Sequence, residues 1–117
     1  MRIEALSFGV IKVDGRKIRR DVLIDGEGNL KLRRGGLFIF GSHRIKRAEV
    51  EEASKGARYL IVGTGIMGKA KLTPNAQNFL REKGLEAVVL PSREAVRKFN
   101  ELVDKGERVS AIIHITC

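Results

Sequence analysis

The feature that most restricts the fold is an alternation of apolar and amphipathic segments over the last 60 or so residues. Three apolar runs cover residues 59–62, 86–90 and 108–115. The last run carries apolar side chains at both odd and even positions, which is typical of a strand covered on both faces of a sheet. Amphipathic segments of helical periodicity separate the runs. The pattern predicts strand–helix–strand–helix–strand, with parallel strands and helices packed on the sheet.

Local signals fix where these helices begin and end. Thr73 is a good N-cap and is followed by Pro74, which loses no hydrogen bond at the first helical position. Ser92 is predicted to cap the next helix in the same way. Gly84 and Gly106 follow the two helices, where a left-handed residue commonly ends a helix. The segment between residue 62 and Thr73 is expected to be extended at residues 69–72.

The first part of the chain has a different residue pattern, which predicts antiparallel β structure over residues 3–40. Asp14-Gly15 predicts a tight type I′ hairpin turn, because glycine adopts positive φ without strain. A strand is expected at residues 20–24, a second turn at 25–28, and a wholly apolar segment at 37–40. A short helix is predicted from about Ser42 to about residue 55, with Gly56 as its left-handed cap.

These elements predict one compact α/β domain over residues 1–117, mainly β at 1–41 and α/β at 42–117. The N-terminal antiparallel hairpins would join or cover a mixed central sheet built on the C-terminal βαβαβ unit. Apolar residues make up 43% of the chain and charged residues 32%, so a chain of 117 residues can bury a real core. This composition excludes a disordered tail and a disulfide-stapled miniprotein.

Cysteine usage and hydropathy bear on the compartment. The single cysteine, Cys117, cannot form an intramolecular disulfide. No apolar stretch is long enough to span a membrane, and the first four residues include Glu4 and no apolar signal region. We therefore expect a cytoplasmic protein. The abundance of Lys, Arg and Glu is also similar to the composition of thermophile proteins.

The positive charge is concentrated near the N-terminus. The formal net charge is +9, and residues 1–47 hold twelve Lys or Arg against five acids. A solvated basic surface explains this excess, and non-specific binding of nucleic acid through phosphates is the alternative. The candidate patch consists of Arg16, Lys17, Arg19, Arg20, Arg33 and Arg34. Phe8, Phe38 and Phe40 are expected in the core and not available for base stacking.

A glycine-rich segment, Gly63-Thr64-Gly65-Ile66-Met67-Gly68, follows a predicted strand and fits G-x-G-x-x-G. A dinucleotide site needs a helix directly after the glycines, whereas the next helix starts near Thr73, so no cofactor is predicted. The remaining alternatives are a tight structural turn and a site for an anion or small ligand at the carboxyl end of the strands. The residues of such a site would be Gly63, Thr64, Gly65, Gly68, Lys69 and Ser92.

Other chemistry-bearing residues do not form a recognisable set. His43 and His114 are the two histidines, and their spacing to Cys117 matches no zinc site. His43 is expected to cap or pack, and Cys117 to be a plain terminal residue. The acids Glu49, Glu51 and Glu52 are expected on a solvated helix face. No catalytic group and no metal ligand is predicted.

Several segments together resemble the Mth-type adipogenesis-associated domain family. The residues that carry the resemblance are Arg33-Arg34-Gly35-Gly36, Gly41-Ser42-His43, Leu60-Ile61-Val62-Gly63-Thr64-Gly65, Thr73-Pro74, residues 85–90, Phe99-Asn100 and His114-Ile115-Thr116-Cys117. The resemblance covers nearly the whole chain. It implies a compact α/β fold with a mixed sheet, in a family of unknown function that includes a mitochondrial complex I assembly factor and a protein linked to adipogenesis.

The leading functional hypothesis is therefore a small non-enzymatic factor that binds a protein partner, as in assembly. An anion- or ligand-binding protein, or an enzyme, that uses the Gly63–Gly68 loop is the first alternative. Nucleic-acid binding by the basic patch is the second. A second copy of the chain is also an expected partner, because cyclic dimers are the commonest oligomers.

Overall fold

A computed structural model describes residues 1–33 and 43–117. The alternating strands and helices of the C-terminal part form the centre of the molecule. In chain order the elements are β1 (Ile3–Ser7), β2 (Val10–Val13), β3 (Arg16–Ile18), β4 (Val22–Ile24), β5 (Leu30–Leu32), β6 (Arg44–Ile45), α1 (Arg47–Ala53), β7 (Tyr59–Gly63), β8 (Lys71–Leu72), α2 (Pro74–Lys83), β9 (Glu86–Leu90), α3 (Ser92–Asp104) and β10 (Val109–Ile113).

The central sheet has the strand order β5-β4-β10-β7-β9. Strands β10, β7 and β9 are parallel, and β4 and β5 are antiparallel to their neighbours, so the predicted mixed sheet is confirmed. Side chains of β10 alternate between two cores. Ala111 and Ile113 pack with α3, while Ile112 packs with α1 and α2. Helices on both faces explain why this strand is apolar throughout.

A separate antiparallel sheet, β1-β2-β3, covers the α3 side of the molecule. Asp14 and Gly15 both have positive φ, 46° and 81°, which confirms the predicted hairpin turn between β2 and β3. Asn100 of α3 holds β1 in place. Its side-chain amide donates to the Ile3 carbonyl oxygen at 2.8 Å, and its side-chain oxygen accepts from the Ile3 N–H at 3.0 Å.

Two local predictions need correction, and two others are confirmed. The strand expected at residues 20–24 begins only at Val22, because β3 belongs to the separate sheet. The helix expected from residue 42 begins at Arg47, because Arg44–Ile45 pairs with Lys71–Leu72 as the two-stranded sheet β6-β8. That pairing confirms the extended segment before Thr73. Thr73 caps α2 as predicted, with its hydroxyl accepting from the N–H of Ala76 at 3.2 Å.

Some predictions fall on residues 34–42, outside the described residues. These are Arg34 of the basic patch, the apolar segment 37–40 with Phe38 and Phe40, and Ser42. Over the described ranges, no helix combines the length and the apolar character that a membrane crossing requires.

Candidate functional site

Sheet register brings three charged or titratable side chains into one row at the edge where the parallel strands end. Val22 of β4 pairs with Ile113 of β10 on one side and with Leu32 of β5 on the other. The next residue of each strand segment beyond these three paired residues is Asp21, His114 or Arg33. All three are buried, with 6%, 0% and 2% of their surface exposed. We call these residues, together with Glu49, the buried ionic cluster.

Asp21 is the centre of the buried ionic cluster. Its Oδ2 lies 2.7 Å from Nη1 of Arg33 and 2.8 Å from Nδ1 of His114. Its Oδ1 accepts the N–H of Ile115 at 2.9 Å. Burial raises the pKa of Asp21, but the hydrogen bonds from His114 and Ile115 and the nearby positive charges outweigh it, so the pKa is lowered. Asp21 is therefore ionised at neutral pH.

Arg33 links this carboxylate to the first helix. Its guanidinium forms an ion pair with the Glu49 carboxylate and donates from Nη2 to the Arg44 carbonyl oxygen at 2.8 Å. Desolvation lowers the pKa of Arg33, but Glu49 and Asp21 outweigh it and raise the pKa. Glu49 also accepts the N–H of Lys46 at 3.0 Å, which caps α1. The expectation of a solvated Glu49 is thus wrong, because its carboxylate faces a buried arginine.

The ring of His114 lies between a carboxylate and a hydroxyl group. A carboxylate only accepts hydrogen bonds, so the Nδ1 that faces Asp21 carries the ring proton. Nε2 lies 3.2 Å from the Thr116 hydroxyl, within hydrogen-bond distance. The His43 ring packs edge-on against His114, with centroids 5.3 Å apart, which fits the packing role expected for His43. The order carboxylate–imidazole–hydroxyl is that of a nucleophile relay, but here the imidazole is enclosed and joins strands.

The N–H groups of the glycine loop, residues 63–68, donate hydrogen bonds to other residues of the chain. Gly65 donates to the Ser92 hydroxyl at 2.8 Å, and Ile66 donates to the Thr116 carbonyl at 2.7 Å. The other donors are Thr64 to Leu90, Met67 and Lys69 to Cys117, and Gly68 to Gly65. The amides of Ile66, Met67 and Lys69 thus bind the carbonyl groups of residues 116 and 117, and the others bind Ser92, Leu90 and Gly65, so these donors already have partners within the chain.

Ser92 has a different role from the predicted cap. Pro91 is the N-cap of α3, and the Ser92 side chain is fully buried. Its hydroxyl accepts from the Gly65 N–H and donates to the His114 carbonyl oxygen at 2.6 Å. Of the six predicted loop-site residues, Gly63, Thr64, Gly65 and Ser92 are buried, Gly68 is half-buried and Lys69 is exposed.

The predicted basic patch is divided by the fold. Arg16, Lys17 and Arg19 are exposed on or beside β3. Arg20 is half-buried and donates from Nη2 to the Arg33 carbonyl oxygen at 3.1 Å. Arg33 is enclosed in the buried ionic cluster, so its charge faces acids and not solvent. The candidate patch therefore narrows to the β3 region, where Lys12 of β2 joins it.

Two surface features were not predicted from the sequence: the exposed Phe8 ring and the open edge of the central sheet. The expectation that Phe8 belongs to the core is wrong, because it lies in the β1–β2 turn with 59% of its surface exposed. Strand β9 lies at the edge of the central sheet, and its Val89 side chain is 47% exposed. An apolar run predicts a strand but not its place in the sheet, so no sequence signal marks this edge.

Within the described part of the chain, no three His, Cys, Asp or Glu side chains are grouped to hold a metal ion.

The fold and the cluster together define a one-domain α/β protein with a mixed sheet. A family model described as "Protein of unknown function (DUF498/DUF598)" matches residues 3–114, and the chain belongs to this family. The chain is similar over its whole length to the conserved hypothetical protein PH1505 from Pyrococcus horikoshii OT3, with 32% identity, full coverage of both chains and a TM-score of 0.85.

Two further solved structures are similar. The protein called MT938 is 30% identical, with 99% of this chain and 98% of that chain covered and a TM-score of 0.81. An Mth938-like domain from Bordetella pertussis, solved by NMR in solution, is 18% identical, with 97% and 85% covered and a TM-score of 0.77. At that identity the likeness shows the fold alone. The resemblance to the Mth-type domain family is confirmed.

Proposed function

We propose that this chain is a non-enzymatic protein-binding factor that docks an extended segment of a partner protein along the open edge of β9. The observation that carries the proposal is the position of β9 as the last strand of the central sheet in the described residues. An exposed strand edge is a template for pairing with another chain, and proteins usually cover or charge such edges. Of the five residues of β9, only Glu86 is charged.

The backbone geometry of β9 leaves hydrogen-bonding groups available. Glu86 donates its N–H to the Arg58 carbonyl, and the Leu90 carbonyl accepts from Thr64, so both residues face β7. Backbone groups alternate in direction along a strand, so Ala87 and Val89 point their N–H and C=O groups away from β7. The side chains of Ala87 and Val89 are exposed as well. One stretch of chain therefore offers donors, acceptors and apolar surface together.

These features specify the chemistry of the partner. A strand added to β9 would satisfy the outward groups and would place small or β-branched apolar side chains beside Ala87 and Val89. The net charge of +9 favours a partner of acidic overall composition, because complementary charge speeds encounter. We therefore expect an acidic protein that contributes one extended apolar segment.

The experiment is an affinity capture from nuclease-treated host extract with three versions of the chain. Val89→Pro removes an N–H that points away from the sheet, so the central sheet keeps its own hydrogen bonds. Leu32→Lys is the matched control, because Leu32 lies in the edge strand at the other side of the sheet and is 44% exposed. Captured proteins are identified by mass spectrometry and titrated individually by calorimetry.

The proposal expects one saturable partner whose affinity falls about tenfold or more with Val89→Pro, since a lost hydrogen bond and displaced apolar contacts together exceed about 1.4 kcal/mol. Leu32→Lys should leave the affinity at the wild-type value. Equal affinity of the wild type and Val89→Pro for the same partner would contradict docking at β9. So would the absence of any saturable partner.

A further inference from the structure

We infer that the outer face of the β1-β2-β3 sheet binds single-stranded nucleic acid. The inner face of this sheet is committed to the core through Ile3, Ile11 and Val13, which are almost fully buried. The register places the intervening residues on the outer face in one row, in which Ala5 lies opposite Lys12 and Lys12 lies opposite Lys17. The centre of the outer face therefore carries one small side chain, Ala5, and two lysines.

The two lysines of this row are a like-charged cross-strand pair. Residues directly opposite in antiparallel strands have Cβ atoms about 5 Å apart, where like charges destabilise the sheet. Arg19 follows two residues after Lys17 and is exposed, whereas Arg16 lies opposite Val13 and therefore points to the other side of the strand. None of these four cations forms an ion pair with a residue in the described ranges. The fold thus keeps uncompensated positive charge on this face at a cost in stability.

The acids of β1 and of the β2–β3 turn form no ion pair with these cations. The Glu4 carboxylate accepts the Gly15 N–H, and the Asp14 carboxylate accepts the Arg2 N–H at 2.8 Å. Both carboxylates are held at the margin of the sheet by backbone groups near the β2–β3 turn. Lys12 and Lys17 on the outer face, with Arg19 beyond the end of β3, therefore outnumber the two peripheral acids, and the excess charge favours a polyanion.

The exposed ring of Phe8 favours single-stranded over double-stranded nucleic acid as the ligand of this face. It lies in the turn between β1 and β2, and the next residue, Gly9, donates its N–H to the Ile115 carbonyl at 2.8 Å, which fixes the turn. The exposed ring offers a stacking surface for an unpaired base, whereas the bases of a duplex are already stacked on one another. Lys12 lies in β2, two residues and about 7 Å beyond Val10, which pairs with Ser7 at the base of this turn. A short single strand can reach both the ring and the cations.

This inference is independent of docking at β9, since the two surfaces belong to different sheets. It is tested by fluorescence anisotropy of labelled oligo-dT and of a duplex of equal length, at several salt concentrations. The single strand should bind more tightly than the duplex. Its affinity should fall with salt, with a log–log slope of about −0.7 for each phosphate neutralised.

The test variant is Lys12→Gln combined with Lys17→Gln. It should weaken binding of oligo-dT about tenfold or more and make the salt slope shallower by about 1.4, because two phosphate contacts are lost. Thermal unfolding should show equal or greater stability, because the like-charged pair is relieved. The matched control is Lys55→Gln combined with Lys83→Gln, which removes the same charge at exposed positions after α1 and at the end of α2.

Phe8→Ala separates stacking from charge. It should weaken oligo-dT binding about tenfold and leave the salt slope unchanged, because no phosphate contact is removed. Equal losses in the test and control lysine variants would overturn the inference, as would equal affinity for duplex and single strand. Polyglutamate that binds as tightly as oligo-dT would assign the face to an acidic protein and would also overturn it.

Discussion

Asp21→Asn is the substitution that most severely tests the buried ionic cluster. The asparagine has the same shape and can still accept the N–H of Ile115. Its amide nitrogen, however, would face two donors, Nη1 of Arg33 and Nδ1 of His114, which lie 2.7 and 2.8 Å from the present carboxylate oxygen. The change therefore removes the negative charge and also introduces donor–donor contacts.

The expected loss follows from the burial of the partners. Breaking a buried ion pair by removing one member costs about 3–5 kcal/mol, because the other charge stays buried without its partner. Glu49 still neutralises Arg33, so we expect the lower end, about 3 kcal/mol in the free energy of unfolding. For a domain of this size that corresponds to a decrease in Tm of about 12 °C.

The assay is urea denaturation of the wild type and Asp21→Asn between pH 7 and pH 3. The folded-state pKa of Asp21 lies below the unfolded value of about 3.9. Its ionisation therefore stabilises the fold above that pH, and this contribution is lost as the pH falls through the folded pKa. Asparagine does not titrate, so the difference between the two proteins should be full at pH 7 and should shrink in acid.

The control is Asp104→Asn, which breaks an ion pair with Arg2 whose side chains are 57% and 61% exposed. It should change the free energy of unfolding by no more than about 0.5 kcal/mol. A loss below about 1 kcal/mol for Asp21→Asn at pH 7, or a loss that persists unchanged at pH 3, would refute the reasoning.

Two further substitutions test other contacts of the fold. Asn100→Ala removes both hydrogen bonds to Ile3 and should cost about 1–3 kcal/mol, with faster amide exchange in β1 as the measurement; unchanged exchange there would contradict the role of Asn100. Gly65→Ala would drive a Cβ into the Cys117 carbonyl group at a φ of +110°. It should cost at least about 2 kcal/mol in urea denaturation, and wild-type stability would show that the loop does not hold the C-terminus.

Local signals are sufficient to predict where α2 begins and ends. Thr73 and Pro74 begin α2 where the cap pattern predicts, and Gly84 ends it in the left-handed conformation. The boundaries depend on side chain–backbone contacts within a few residues, so neighbouring residues determine them. The strand at residues 44–45 escapes prediction because it exists only through pairing with β8, which is distant in the chain.

The buried ionic cluster could not be predicted in the same way. Asp21, Arg33 and His114 become neighbours only when β4 lies between β5 and β10, and strand order is not a local property. Glu49 lies in the same acidic stretch as Glu51 and Glu52, so nothing local marks it as the partner of Arg33. The apolar context of Phe8 indicates a core residue, but the position of the β1–β2 turn leaves its ring exposed.

Amide hydrogen exchange of Ala87 and Val89, in the free chain and with the captured partner, tests docking at β9 most directly. In the free chain both N–H groups point away from β7 and should exchange rapidly, while that of Val88 should be protected. Bound partner should slow the exchange of Ala87 and Val89 by at least about tenfold, because both become hydrogen-bonded to an added strand. Unchanged exchange at these two residues, with protection elsewhere on the chain, would contradict the proposed function.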